Sequence, residues 1–237
     1  MFKNIIATTA LLAASAALAS AVTVTFNSSN TVADATNYAA NGSSAGTYTV
    51  ATGTLSNGET VTVSLTESVG TIYVGSATAT TFSDSAVSLL AEYDIDIDGQ
   101  SITGIEGGQG QNTLTVTFSG LTEGETYTVI AIVGDGAGTA STISFTNGTL
   151  VSGTYYSATS DDSTGTSFSS SISATSAVYV VVAEVEADSD GTIAYSVTTK
   201  GVMYLAAIIP EPSAFGLLAG VGALALAASR RRRTRKA

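Results

Sequence analysis

Three aspartates alternate with isoleucines in the stretch YDIDIDGQ, and Gly99 follows the last of them. Asp94, Asp96, Asp98 and Gly99 match the opening of a calcium loop, in which carboxylates at alternate positions converge on a hard cation. The twelfth position counted from Asp94 is Ile105, however, and Glu106 comes one residue late for the closing bidentate ligand. Ile95 and Ile97 also alternate with the aspartates as a half-buried strand would. The reading is therefore a strand with an acidic outer face that ends in an Asp98-Gly99 turn. Asp94, Asp96 and Asp98 remain the calcium candidate, and no metal or cofactor is expected.

Two further carboxylate pairs have the chemistry of glycoside hydrolysis, one acid and one nucleophile or base. They are Glu184 with Glu186, and Asp161 with Asp162. Glu184 and Glu186 lie two residues apart in a strand-like stretch, so they share one face, and a solvated face is the expectation. A sugar platform has no Trp to use, and Tyr155-Tyr156 is the available substitute. Paired tyrosines at a strand end are expected to serve packing. The chain has no His and no Cys, which excludes a Ser–His–Asp triad, a Cys nucleophile and an ordinary zinc site. GDGAG at 134–138 lacks the Lys and Ser/Thr of a phosphate loop, so a turn after a strand is expected.

The elements that must position these groups read as short strands. TVTVSL at 60–65, NTLTVTFSG at 112–120 and ETYTVIAIV at 125–133 alternate Thr or Ser with large apolar residues, the period-two pattern of β-structure. Turn signals separate the runs at Asn57-Gly58, Glu123-Gly124, Asn147-Gly148 and Asp190-Gly191. SAVYVVVAEVEA at 176–187 is expected to be a central strand, forming a hairpin with TIAYSVTT at 192–199. GVMYLAAII at 201–209 is the expected last strand. Only SDSAVSLLAEY at 83–93 has a helical pattern, with Ser83 or Asp84 as its cap. The fold class is all-β: an antiparallel β-sandwich, Greek-key or jelly-roll like, with a parallel β-helix as the alternative.

GLTEGETYTVIAIVGDG adds a topological expectation. Leu121, Gly124 and Tyr127 resemble the Leu–x–x–Gly–x–x–Tyr of a tyrosine corner, in which a Tyr hydroxyl bonds backbone upstream. The likeness to fibronectin-like sandwiches covers fewer than twenty residues.

Both ends of the chain read as addresses. Residues 1–21 carry Lys3, an apolar run and then small residues, the pattern of a signal peptide cleaved after Ala21. The body, residues 22–209, has 18 acidic residues against one basic residue, Lys200, for a formal charge of −17. Such a body repels phosphates, so no nucleic-acid partner is expected. Residues 210–237 run Pro210-Glu211-Pro212, an apolar stretch Ala214–Ala228, then Arg230, Arg231, Arg232, Arg233, Arg235 and Lys236. Fifteen apolar residues make a short spanning helix, and the basic cluster sets its C-terminal end inside.

This order closely resembles the PEP-CTERM sorting signal of exported proteins in Gram-negative bacteria. The resemblance covers about the last tenth of the chain. It implies a single transmembrane sorting helix, recognition by an exosortase and cleavage at or near the motif. It also implies an inner-membrane intermediate and a destination at the cell surface or in the extracellular matrix. Signal peptidase, the secretion machinery and the membrane are the other implied partners, with extracellular polysaccharide beyond them. The expected function is a non-catalytic structural or adhesive β-sandwich, not an enzyme. The alternatives are a non-catalytic carbohydrate-binding module and, behind it, a secreted carboxylate-based glycoside hydrolase.

Overall fold

The computed structural model describes residues 21–26, 36–37, 43–74, 80–97, 101–102, 104–107, 113–135, 141–161, 164–174, 177–198 and 201–211. The first half of the described chain holds β1 (Val22–Thr25), β2 (Thr36–Asn37), β3 (Ser43–Thr54), β4 (Thr60–Val74), β5 (Thr80–Thr81), α1 (Asp84–Ala91), β6 (Ser101–Ile102) and β7 (Ile105–Gly107). The second half holds β8 (Thr113–Ser119), β9 (Thr126–Asp135), β10 (Ser141–Asn147), β11 (Thr149–Ser157) and β12 (Thr166–Ser167). It closes with β13 (Ser171–Ala174), β14 (Val178–Glu186), β15 (Thr192–Thr198) and β16 (Gly201–Pro210).

Fourteen strands join in the order β12-β11-β14-β9-β16-β7-β4-β8-β15-β10-β13, with β1 and β2 attached through β16 and β3 attached to β4. Among these strands only the β1–β2 pairing is parallel, which rules out the parallel β-helix. The sheet folds back on itself. Inner residues of β9, β14 and β16, such as Val129, Ala131, Ala183 and Ile208, share one apolar cluster with Val63, Leu65, Val116, Phe118, Ile193 and Val197 from β4, β8 and β15. That face-to-face packing is the layer logic of a sandwich.

The outer face of the β9–β14–β16 layer has its own cover. Phe82, Ala86, Leu90, Ile95 and Ile97 pack on Ile130, Ile132, Val180 and Leu205. Burying a side chain such as Leu90, which is fully enclosed, contributes about 1.5–3 kcal/mol. The strands beneath are therefore apolar on both faces: every residue of β16 is buried. This is why 201–209 reads as an unbroken apolar run.

The expected corner forms. Tyr127 is 1% exposed, and its hydroxyl accepts the Thr122 amide at 2.9 Å. The same hydroxyl donates to Glu59 Oε2 at 2.7 Å, and Thr122 Oγ1 donates to the other Glu59 oxygen. Glu59 lies in the β3–β4 hairpin, so the corner ties that hairpin to the loop between β8 and β9. Burial opposes the Glu59 charge, but bonds from Thr122, Tyr127 and Asn57 outweigh it and hold the carboxyl below its ordinary value. Burial first, then the bond to Glu59, pushes the Tyr127 phenol up to about 12.

Two expectations are corrected. β14 and β15 form no hairpin: β14 pairs with β9 and β11, and β15 with β8 and β10. The turn between them carries the chain from one layer to the other. Asp188 Oδ1 accepts the Asp190 and Thr192 amides, Gly191 takes φ +64°, and its carbonyl binds the Leu121 amide. Residues 95–97 form no strand either. They follow α1 outside any strand, the Ile95 amide donating to the Leu90 carbonyl at 3.1 Å, with Ile95 and Ile97 buried under the helix and Asp94 and Asp96 exposed. The alternation reports burial on one side, which a segment packed against a helix satisfies without being a strand. The expected signal peptide up to Ser20, Pro212, the apolar tail and the basic cluster lie outside the described residues. Among the described residues no helix is long and apolar enough to cross a membrane.

Candidate functional site

The helix α1 begins where the sequence puts its cap. The Ser83 hydroxyl accepts the Ala86 amide at 3.3 Å, satisfying one of the free amides of the first turn, and Asp84 adds a favourable charge there. The Ser83 amide donates to the Ala158 carbonyl at 3.0 Å. The Ser85 hydroxyl donates to the Asp161 carbonyl at 3.2 Å. Both bonds fasten the start of the helix to the chain just after β11. Ala86 and Leu90, one turn apart, face the sheet.

A groove of about 470 Å³ runs beside α1. Asp84, Ser85, Ala86, Ser88, Leu89 and Glu92 supply the helix wall, and Tyr156 and Ser157 of β11 supply the facing wall. Register explains the position of Tyr156. It pairs with Val180 of β14, whose side chain belongs to the outer cluster, so Tyr156 projects on that same face. Tyr155 projects inward, where its ring meets Tyr179 edge-on at 5.0 Å and Phe168 at 6.4 Å. Tyr155 packs as expected; Tyr156 lies with its ring against Gly165 and also lines the groove.

Tyr93 follows the helix. Burial first, then the acidic groups around it with Glu92 foremost and Glu211 and Glu184 further off, pushes its phenol up. The end of β16 is fastened to the start of β9. Pro210 pairs with Tyr127, the Glu211 amide donates to the Thr126 carbonyl at 3.3 Å, and Thr128 Oγ1 donates to the Glu211 carboxylate.

The described members of the sequence-derived carboxylate sets, Asp94, Asp96, Asp161, Glu184 and Glu186, are all exposed. Glu184 and Glu186 are exposed, and Glu184 accepts the Ser152 hydroxyl at 2.9 Å. Asp161 is exposed, and Asp162 lies outside the described residues. Asp94, at φ +60°, and Asp96 border a shallow depression of about 110 Å³ between Val87, Ala91, Ile95 and Ile97; Asp98 lies outside the described residues. Among the described residues no group of three His, Cys, Asp or Glu is placed to hold a metal ion. Gly134 and Asp135 of GDGAG end β9, and the remainder lies outside the described residues.

Sequence reasoning missed the groove and Glu59. Ser85, Ser88 and Glu92 are spaced as one helix face opposite Ala86 and Leu90, which was a usable signal; nothing local pointed to Tyr156 across from them. The chain matches no family model, and no curated protein or solved structure matches it.

Proposed function

We propose that the chain is an exported, non-catalytic β-sandwich, Greek-key or jelly-roll in its connections, that serves a structural or adhesive role at the cell surface or in the extracellular matrix. The tail carries the reading: Pro210-Glu211-Pro212, a short apolar stretch and a terminal basic cluster, in that order. In this reading an exosortase processes the chain from an inner-membrane intermediate. The body's charge suits a dispersed exported domain, since self-repulsion opposes association. The lack of His and Cys and the solvent-facing Glu184 and Glu186 favour a non-catalytic role over a carboxylate-based hydrolase.

Replacing Pro210, Glu211 and Pro212 together by alanine, in the cells that make the protein, tests the sorting step. The substituted chain is expected to accumulate in the inner membrane with its tail attached. An unchanged distribution between membrane, surface and medium would refute the sorting reading. A turnover assay of the unaltered protein on polysaccharides is expected to release no sugar.

A further inference from the structure

The groove between α1 and β11 combines three features. Its walls carry an aromatic ring, Tyr156, beside the apolar Leu89 and Ala86. Hydroxyls from Ser85, Ser88 and Ser157 and carboxylates from Asp84 and Glu92 are distributed around that apolar surface. Among the described residues no basic side chain lines it. Asp84 and Glu92 are eight helical residues apart, about 12 Å along the axis, so they stand at opposite ends and cannot close on one small ion.

Each feature excludes a ligand class. A purely apolar ligand would strip water from two carboxylates without replacing their hydrogen bonds. An anionic ligand would meet Asp84, Glu92 and the charge of the body with no cation to pair with. A ligand that fits has an apolar face for the ring and hydroxyl donors around its edge, spread over a length of several rings. A pyranose chain has that form, with C–H groups on the sugar face and hydroxyls at its rim. Ser85 already donates to Asp161, so its oxygen is left to accept.

We propose that this groove binds a neutral oligosaccharide, with one pyranose stacked on Tyr156 and hydroxyls of successive sugar units donating to Asp84, Ser85 and Glu92 along the groove. The site assigns a ligand to the body and stands independently of the sorting reading of the tail.

The test uses the full chain, purified in a detergent without sugar, against an array of neutral glycans and then by calorimetry against the tetrasaccharides it selects. Binding of at least one neutral tetrasaccharide is expected, and none of tetragalacturonate. Saturation-transfer NMR is expected to mark the protons of one pyranose face. Tyr156→Ala should weaken binding about tenfold, equivalent to about 1.4 kcal/mol. Ser88 is exposed on the groove side of the helix, so Ser88→Arg should abolish binding while leaving the melting temperature unchanged; it keeps the test sound if Tyr156→Ala disturbs folding. No binding to any neutral glycan overturns the proposal. So does binding that survives Ser88→Arg, or equal binding of the uronate.

Discussion

Removing the Tyr127 hydroxyl, Tyr127→Phe, tests the packing of the two layers at its tightest polar point. The ring is 1% exposed and stays buried in the variant, so the change in apolar burial is negligible. Two hydrogen bonds are lost. One is from the Thr122 amide at 2.9 Å, and a neutral bond of this kind contributes about 1 kcal/mol net. The other runs to the Glu59 carboxylate at 2.7 Å, and bonds to charged groups contribute about 1.5–3 kcal/mol. Thr122 is exposed and Glu59 half-buried, so water replaces part of both, and Glu59 keeps its bond from the Thr122 hydroxyl. The expected cost is about 2 kcal/mol, a fall in Tm of about 4–8 °C for a domain of this size. Thermal unfolding followed by circular dichroism at pH 7 reads it. A double-mutant cycle with Glu59→Gln should return a coupling of about 1 kcal/mol, since the two groups touch. A Tm change below about 1 °C, or additive single effects, would refute the corner as a joint between the β3–β4 hairpin and the β8–β9 loop.

Four further outcomes follow from the same structure. Because the folded Glu59 carboxyl is held below its ordinary value, its contribution is present above the ordinary carboxylate pKa and lost as pH falls through the folded one. The Tm gap between the unaltered chain and Glu59→Gln should therefore be full at pH 7 and narrow as pH falls below the ordinary carboxylate range. Gly124 and Gly191 both hold positive φ, but a Cβ on Gly124 meets open space and one on Gly191 comes within 2.3 Å of the Leu121 carbonyl oxygen. Gly124→Ala should cost about 1–2 kcal/mol and Gly191→Ala clearly more, read by urea denaturation. The buried Tyr195 hydroxyl has no hydrogen-bond partner among the described residues, so Tyr195→Phe should leave stability unchanged or raise it by up to about 1 kcal/mol. A body cut after Glu211 should melt higher than one cut after Ile209, because Pro210 and Glu211 extend the last strand and bind Thr126 and Thr128.

Local pattern was legible wherever one face of a strand or helix is buried. TVTVSL and NTLTVTF alternate as β4 and β8 do, and Ser83 caps α1 where its hydroxyl was expected to. The tyrosine corner was legible because its residues lie within one loop. Partnership was not. Asp188–Gly191 is a turn in sequence and in structure, but nothing in it says that the flanking strands pair elsewhere; that choice is made by β9 and β8, some fifty or more residues away. The acidic repeat from Asp94 misled for a related reason, since period two records a buried side and not a hydrogen-bonded neighbour. Glu59 meets Tyr127 across 68 residues, and the groove joins a helix to a strand more than sixty residues later. The Glu59 contact leaves no local signature, and of the groove only the helix face does.

Intact-mass spectrometry of the mature protein, recovered from the cells that make it, reads export and tail removal in one measurement. The expected mass is that of a chain beginning at Val22, keeping β16 and lacking the Arg230–Lys236 cluster. A mature, surface-located chain that still begins at Met1, or still ends in the intact basic cluster, would contradict it.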